Sequence, residues 1–159
     1  MIYKSTILAK YIAAYLNERR VDINMTKIQK LTYIVYGTWL AAKNERLIDE
    51  HPQAWPYGPV FPTTRNQLLK IDLNAISLSD QDLNEISKDS EVNLLMDSVY
   101  KTFGNWSASM LSEWSHKDGS PWEKTVSTER FKWGDVINDD DIKSYFKKII
   151  IPKDGEKKE

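Results

Sequence analysis

Residues 26–42 have the sequence TKIQKLTYIVYGTWLAA, in which apolar side chains recur at the spacing of an α-helix. The apolar stripe of this helix consists of Ile28, Leu31, Val35 and Ala42, with Ile34 and Trp39 beside it. Thr26 and Gln29 have the spacing of a capping box, in which the hydroxyl accepts from a first-turn amide and the Gln side chain reaches back. The pattern therefore predicts a long helix that starts at Thr26.

A second helical pattern precedes this segment, and the short connection Val21-Asp22-Ile23-Asn24 separates the two. Its apolar stripe consists of Ile7, Leu8, Tyr11, Ile12, Tyr15 and Leu16. Two amphipathic helices joined by so short a connection pack against each other as neighbours. We therefore expect an αα-hairpin in the first part of the chain.

Four further helices are predicted in the second half, starting at Ser90, Ser107, Ser120 and Asp139. A serine in such a position can accept a hydrogen bond from an amide of the first turn. The helix that Ser90 caps ends at Gly104, carries a regular apolar stripe and is expected to be the central core helix. The helix after Ser107 reaches about His116. The last helix starts with three aspartates and ends with lysines, as the helix dipole favours, and Pro152 terminates it.

The segment between residues 47 and 62 interrupts the helical pattern. It contains Pro52, Pro56, Gly58, Pro59 and Pro62, which a long helix does not accommodate. A short helix over 63–70 and one or two capped turns from Ser79 follow. The chain is therefore predicted to be mainly α: a single compact helical domain over residues 1–151, an irregular Pro- and aromatic-rich insertion or small β-hairpin within it, and a polar C-terminal tail over 152–159.

Composition excludes several classes of protein. The 159 residues include no Cys, so a disulfide framework, a thiolate metal site and a cysteine nucleophile are all excluded. The 22 Lys and Arg against 23 Asp and Glu give a net charge of -1, which lacks the broad basic surface of a general nucleic-acid binder. No apolar run in the first helical segment approaches the length of a bilayer span. We therefore expect a cytoplasmic protein that does not contact a membrane.

Few residues of the chain match a catalytic or metal-binding pattern. His51 and His116 are the two histidines, and Glu113 precedes His116 at a spacing that can place two metal ligands on one helix face. A dinuclear carboxylate site needs a second such motif, which the chain does not contain. The sequence also contains no Gly-x-Ser-x-Gly turn and no glycine-rich phosphate loop. We therefore predict no enzyme activity, no metal and no cofactor.

Two sets of residues remain as candidate binding sites. The first lies around the turn between the first two helices and consists of Arg19, Arg20, Lys27 and Lys30, which could contact DNA in a helix-turn-helix or simply extend along a packed hairpin. The second is an aromatic group from loops and helix edges: Trp55, Tyr57, Trp106, Trp114 and Trp122. Such side chains either fill a core or, exposed together, contact a partner protein.

Three segments together resemble one family. They are MTKIQKLTY (25–33), AWPYGPV (54–60) and LSEWSH (111–116) followed by SPW (120–122). In this order they are similar to the Panacea domain, the family of SocA-like antitoxins and phage-associated GepA-like proteins. The resemblance extends over residues 7–146. The chain departs from the usual pattern at Pro56 and at Trp114-Ser115, where a threonine before the histidine is common.

The resemblance implies a bacterial or prophage antitoxin in the cytoplasm. Such a protein neutralises a toxin, usually encoded by a neighbouring gene, through direct protein contact, and one branch of the family delivers the toxin to a protease. No catalysis is implied. The candidate partner-binding residues are Trp55, Tyr57, Gly58, Pro59, His116 and Trp122, although turns and helix caps would explain the same motifs structurally. The alternative function is a DNA-binding autoregulator that uses the first helix pair, with nucleic acid the less favoured partner.

Overall fold

A computed structural model describes residues 2–150 of the chain, so the predicted polar tail and the helix end at Pro152 lie outside the described residues. The α-helices are α1 (Ser5–Glu18), α2 (Met25–Lys43), α3 (Pro62–Leu68), α4 (Asn84–Ser87), α5 (Ser90–Phe103), α6 (Ala108–Ser115), α7 (Pro121–Val126) and α8 (Asp139–Ile150). The strands are β1 (Gln53–Trp55) and β2 (Gly58–Val60). Short 3₁₀ turns cover Leu73–Ala75 and Gln81–Leu83. The mainly α prediction is confirmed.

α2 is the central helix of the fold, which corrects the expectation that the helix after residue 90 would be. Of its 19 residues, 14 are buried, and α1, α5, α6 and α8 all pack against it. A helix that is apolar on most of its circumference belongs in the centre, whereas α5 has one apolar face and covers one side. α8 approaches closely at Gly37, where an added Cβ would overlap the ring of Phe146.

Two of the predicted helix caps are wrong. Asn24, not Thr26, caps α2 by accepting from the amide of Lys27, and the predicted capping box does not form. Asp89, not Ser90, caps α5. In both cases the capping residue lies just upstream of the predicted one. It carries a short polar side chain and has the extended backbone conformation that a cap requires. The predicted caps Ser107 and Ser120 are confirmed.

The Pro-rich insertion contains the small hairpin. β1 and β2 pair antiparallel with Ala54 opposite Pro59 and Trp55 opposite Gly58, so that Pro56 and Tyr57 form the turn. The segment before α8 extends this pairing, because the amide of Ala54 donates to the carbonyl of Asp135. Within residues 2–150, no helix combines the length and the apolar character needed to cross a bilayer.

Candidate functional site

The three segments that resemble the Panacea family, residues 25–33, 54–60 and 111–122, meet around the β1–β2 hairpin. Gly58 has a φ of +120°, and an added Cβ would lie 2.5 Å from Oγ of Ser115 and 3.0 Å from Cε of Lys30. The next residue, Pro59, accepts a hydrogen bond of 3.1 Å from Nζ of Lys30 through its carbonyl. Glycine is therefore needed at position 58 both for the backbone conformation and for the close approach of α2 and α6.

Gln29 holds the chain where it leaves the hairpin. Its Oε1 accepts from the amide of Phe61 at 2.8 Å, and its Nε2 donates to the carbonyl of Phe61 at 3.2 Å. Gln29 is 2% exposed, so both bonds lie in the interior. The motif residues Gln29 and Lys30 thus bind the backbone on the two sides of Val60.

α7 supports the first strand of the hairpin. The indole Nε1 of Trp122 donates to the carbonyl of Trp55 at 2.8 Å, and the ring of His116 lies 5.3 Å from the Trp122 ring. The indole of Trp55 donates to the side chain of Gln53 at 3.1 Å, and the guanidinium of Arg65 lies 5.5 Å from the Trp55 ring. These contacts hold β1 between α7 and α3.

The candidate partner-binding residues differ in exposure. Tyr57 at the hairpin turn is 77% exposed. Trp55, His116 and Trp122 are half-buried, whereas Gly58 and Pro59 are buried. The six residues therefore form one neighbourhood in which Tyr57 faces solvent and the others support it. Contact with a partner stays a prediction for all of them.

The remaining members of the aromatic group belong to the core. Trp106 and Trp114 lie with their ring centroids 4.9 and 5.1 Å from that of Phe103. Both indoles are half-buried against the buried side chains of the domain. These two side chains therefore pack against the core without being fully enclosed in it.

A groove of about 600 Å³ lies beside the hairpin, and no sequence pattern predicts it. It runs between the start of α2, the hairpin, α3 and the start of α6. Its lining residues are Met25, Thr26, Gln29, Lys30, Trp55, Tyr57, Val60, Arg65, Leu69, Ala108, Ser109 and Ser112. Arg65 and Leu69 are lining residues that the sequence analysis did not select, because an arginine and a leucine on a short helix have no distinguishing pattern.

The cations that were assigned to DNA contact are not all on the surface. Lys30 is 2% exposed and Lys27 is 6% exposed, so both side chains are buried in the free protein. Burial lowers the pKa of Lys30 to about 8 and also lowers the pKa of Lys27. Arg19 and Arg20 are exposed, and they line a depression of about 520 Å³ together with Lys27 and Asp22. Lys30 faces the hairpin instead.

The Glu113–His116 pair lies on α6 and at its end, with Glu113 exposed and His116 half-buried. Nδ1 of His116 is buried and has no hydrogen-bond partner among the described residues. Across residues 2–150, no group of three or more His, Asp or Glu side chains is arranged to hold a metal ion. The absence of a metal and of catalysis stays a prediction.

Comparison with known proteins identifies the class. The sequence model of the family described as "Antitoxin SocA-like, Panacea domain" matches residues 28–123, which include Lys30, the hairpin, His116 and Trp122. The chain belongs to this family. It is similar to Antitoxin SocA of Caulobacter vibrioides (strain NA1000 / CB15N), with 28% identity over 116 residues that cover 65% of this chain and 60% of that protein. No solved structure matches the chain. Family membership supports an antitoxin role.

Proposed function

We propose that this protein is an antitoxin that neutralises a partner toxin by direct binding in the bacterial cytoplasm. Membership of the SocA-like Panacea family carries this proposal. The toxin is the product of a neighbouring gene, because an antitoxin must be made together with its toxin to protect the cell. The domain acts as a binding module and not as an enzyme.

The hairpin provides the contact surface in this proposal. Tyr57 presents a large aromatic side chain to solvent, and the hydrogen bonds from Lys30 and Trp122 fix the strands on either side of it. A rigid aromatic side chain loses little conformational entropy when a partner covers it. Interfaces of about 1,600 Å² usually depend on a few such residues. Trp55 and Trp122 extend the surface around Tyr57.

Co-expression with each neighbouring gene product tests the proposal. We expect one product to arrest growth alone, the arrest to be relieved by this protein, and the pair to elute as a complex in size-exclusion chromatography. If neither neighbour is toxic and neither forms a complex, the antitoxin proposal is wrong.

A substitution at Tyr57 tests the proposed surface. Tyr57→Ala should weaken toxin binding by about tenfold or more and leave the thermal midpoint unchanged, since Tyr57 is 77% exposed. Leu94→Ala is the matched control, because Leu94 is 71% exposed on α5, on an element that does not line the groove. Equal affinity of the Tyr57→Ala variant and the wild type would place the interface elsewhere.

Delivery of the toxin to a protease is a separate part of the proposal. In that case the toxin would be short-lived in cells that contain this protein and stable in cells that lack it. A pulse-chase measurement of the toxin distinguishes an adaptor from an inhibitor that acts by occupancy. Equal toxin lifetimes in the two strains would exclude the adaptor.

The second candidate is DNA-binding autoregulation. Three cations, Arg19, Arg20 and Lys27, line one depression at the turn between α1 and α2. Binding of the gene's own promoter should weaken steeply with salt through counterion release, and Arg20→Ala should reduce the salt dependence. A gel-shift assay at low salt that shows no complex would eliminate this candidate.

A further inference from the structure

The groove beside the hairpin contains a buried cation without a counter-charge. Lys30 is 2% exposed, and Nζ has one hydrogen bond, to the carbonyl of Pro59 at 3.1 Å. Among residues 2–150, no carboxylate oxygen lies within 4.0 Å of Nζ. An ammonium group has three donors and is costly to bury without an opposite charge. The site is therefore electrostatically incomplete in the isolated protein.

The surroundings of Lys30 add to the positive potential of the groove. Met25 and Thr26 are the first residues of α2, and Ala108 and Ser109 are the first residues of α6. The N-terminal end of a helix carries partial positive charge, and its first amides have no partner within the helix. The caps of these helices accept only from the third amide, at Lys27 and Met110 respectively.

The lining of the groove has no compensating acid. None of its twelve lining residues is Asp or Glu, and Arg65 adds a second cation beside Trp55. Its walls include the apolar side chains of Val60 and Leu69, of which Leu69 is 59% exposed. A ligand that fits has an apolar part and a negative charge, which describes a short acidic peptide segment.

We propose that this groove receives an extended segment of the toxin and that an Asp or Glu side chain of this segment forms an ion pair with Lys30. The inference rests on the proposed antitoxin function and specifies its recognition chemistry. The carboxylate gives the buried ammonium the counter-charge that it lacks in the free protein. A segment without an acid leaves the ammonium unpaired, so Lys30 selects among partners as well as binding them.

Lys30→Met tests the proposal, because methionine is unbranched like lysine and carries no charge. We expect its thermal midpoint to stay close to that of the wild type, because removal of the unpaired buried charge offsets the loss of the hydrogen bond to the Pro59 carbonyl. Its dissociation constant for the purified toxin, measured by calorimetry, should increase at least about thirtyfold. Lys147→Met, at an exposed position on α8, is the matched control and should bind as the wild type does.

A second pair of variants tests the groove without changing Lys30. Ser109→Trp places a large side chain at an exposed lining position and should prevent binding. Met110→Trp, the neighbouring position at 51% exposure, is outside this groove and should not affect binding. These two variants test the groove even if Lys30→Met does not fold.

The partner's acid is identified with overlapping synthetic peptides of the toxin. We expect one peptide to bind the wild type, its Asp→Asn or Glu→Gln version to bind weakly, and both to bind Lys30→Met equally. Toxin affinity within about twofold of wild type for both Lys30→Met and Ser109→Trp would overturn the inference and leave the antitoxin function intact. A wild-type protein that binds no toxin would instead overturn the proposed function.

Discussion

Gln29 in α2 and Phe61 after β2 are 32 positions apart and are joined by two hydrogen bonds of opposite direction. The side-chain amide of Gln29 accepts from the amide of Phe61 and donates to its carbonyl, as a neighbouring strand would. Phe61 is 0% exposed, so water cannot replace either bond. A side chain that supplies both a donor and an acceptor is required here, which explains a buried glutamine near the start of α2.

The first prediction concerns this pair. Gln29→Glu keeps an acceptor for the Phe61 amide but replaces the donor with a carboxylate oxygen that faces the Phe61 carbonyl. The free energy of unfolding should fall by about 1–3 kcal/mol, the cost of a buried unsatisfied group. Urea denaturation measures the difference. Gln67→Glu, the same change at an exposed position on α3, should leave stability unaffected, and an equal loss in both variants would contradict this account.

The second prediction compares two glycines that both have positive φ. In Gly58→Ala the positive φ is unfavourable for alanine, and the added Cβ would also lie 2.5 Å from Oγ of Ser115. At Gly119 (φ +84°) an added Cβ would have no neighbour within 4 Å. Gly119→Ala should cost about 1 kcal/mol, and Gly58→Ala about 1–3 kcal/mol more. Thermal denaturation of the two variants separates backbone strain from crowding. Equal costs would mean that the side chains of Ser115 and Lys30 move aside without penalty.

The sequence predicted the helices well because their apolar stripes are regular, but it did not predict their arrangement. α5 was expected in the centre because its stripe is regular, yet a helix with one apolar face covers a core. α2 is central because most of its circumference is buried. Gln29 was assigned to a capping box, since a local pattern cannot show that its partner is Phe61, 32 residues away.

The site was predictable in part. The resemblance selected Gly58, Pro59 and Trp122, which do lie together, and turn chemistry indicated the hairpin. The burial of Lys30 was not predictable, because a lysine side chain usually extends to solvent and only the approach of the hairpin covers it. The groove forms where α2 and α6 meet the hairpin and α3 from distant parts of the chain, so no local signal indicates it.

The third prediction concerns the support of β1 by α7. Trp122→Phe keeps an aromatic ring but removes the hydrogen bond of 2.8 Å from Nε1 to the carbonyl of Trp55. The variant should lose about 1 kcal/mol of stability and exchange the amide protons of the hairpin faster in NMR hydrogen exchange. Trp106→Phe, the same change at a half-buried position that packs against Phe103, is the control. Unchanged hairpin exchange in Trp122→Phe would show that α7 does not support the strands.

The fourth prediction is the pH dependence of stability. Burial lowers the pKa of Lys30 from 10.5 to about 8, so the folded protein releases this proton at a lower pH than the unfolded chain does. Between these two values the unfolded chain binds more protons, and the free energy of unfolding therefore rises with pH, by at most about 3 kcal/mol. Lys27, whose pKa burial also lowers, acts in the same direction.

Buried tyrosines limit this rise at high pH. Burial raises the pKa of Tyr33 above its ordinary value of 10, and the pKa values of Tyr3, Tyr11, Tyr15 and Tyr36 are raised in the same way, with burial as the largest cause. Above about pH 10 the unfolded chain loses tyrosine protons that the folded protein keeps, so stability falls. The stability of the wild type should therefore increase from about pH 8 and decrease above about pH 10.

Urea denaturation of the wild type and of Lys30→Met across this range isolates the contribution of Lys30, because all other groups titrate in both proteins. The free energy of unfolding of Lys30→Met should rise less between about pH 8 and pH 10, so that the stability of this variant relative to the wild type falls as the pH increases. Lys147→Met, which removes an exposed lysine, should follow the wild-type curve. Parallel curves for the wild type and Lys30→Met would show that the Lys30 ammonium is solvated in the folded protein, in which case it is not the buried charge that the groove presents to a partner.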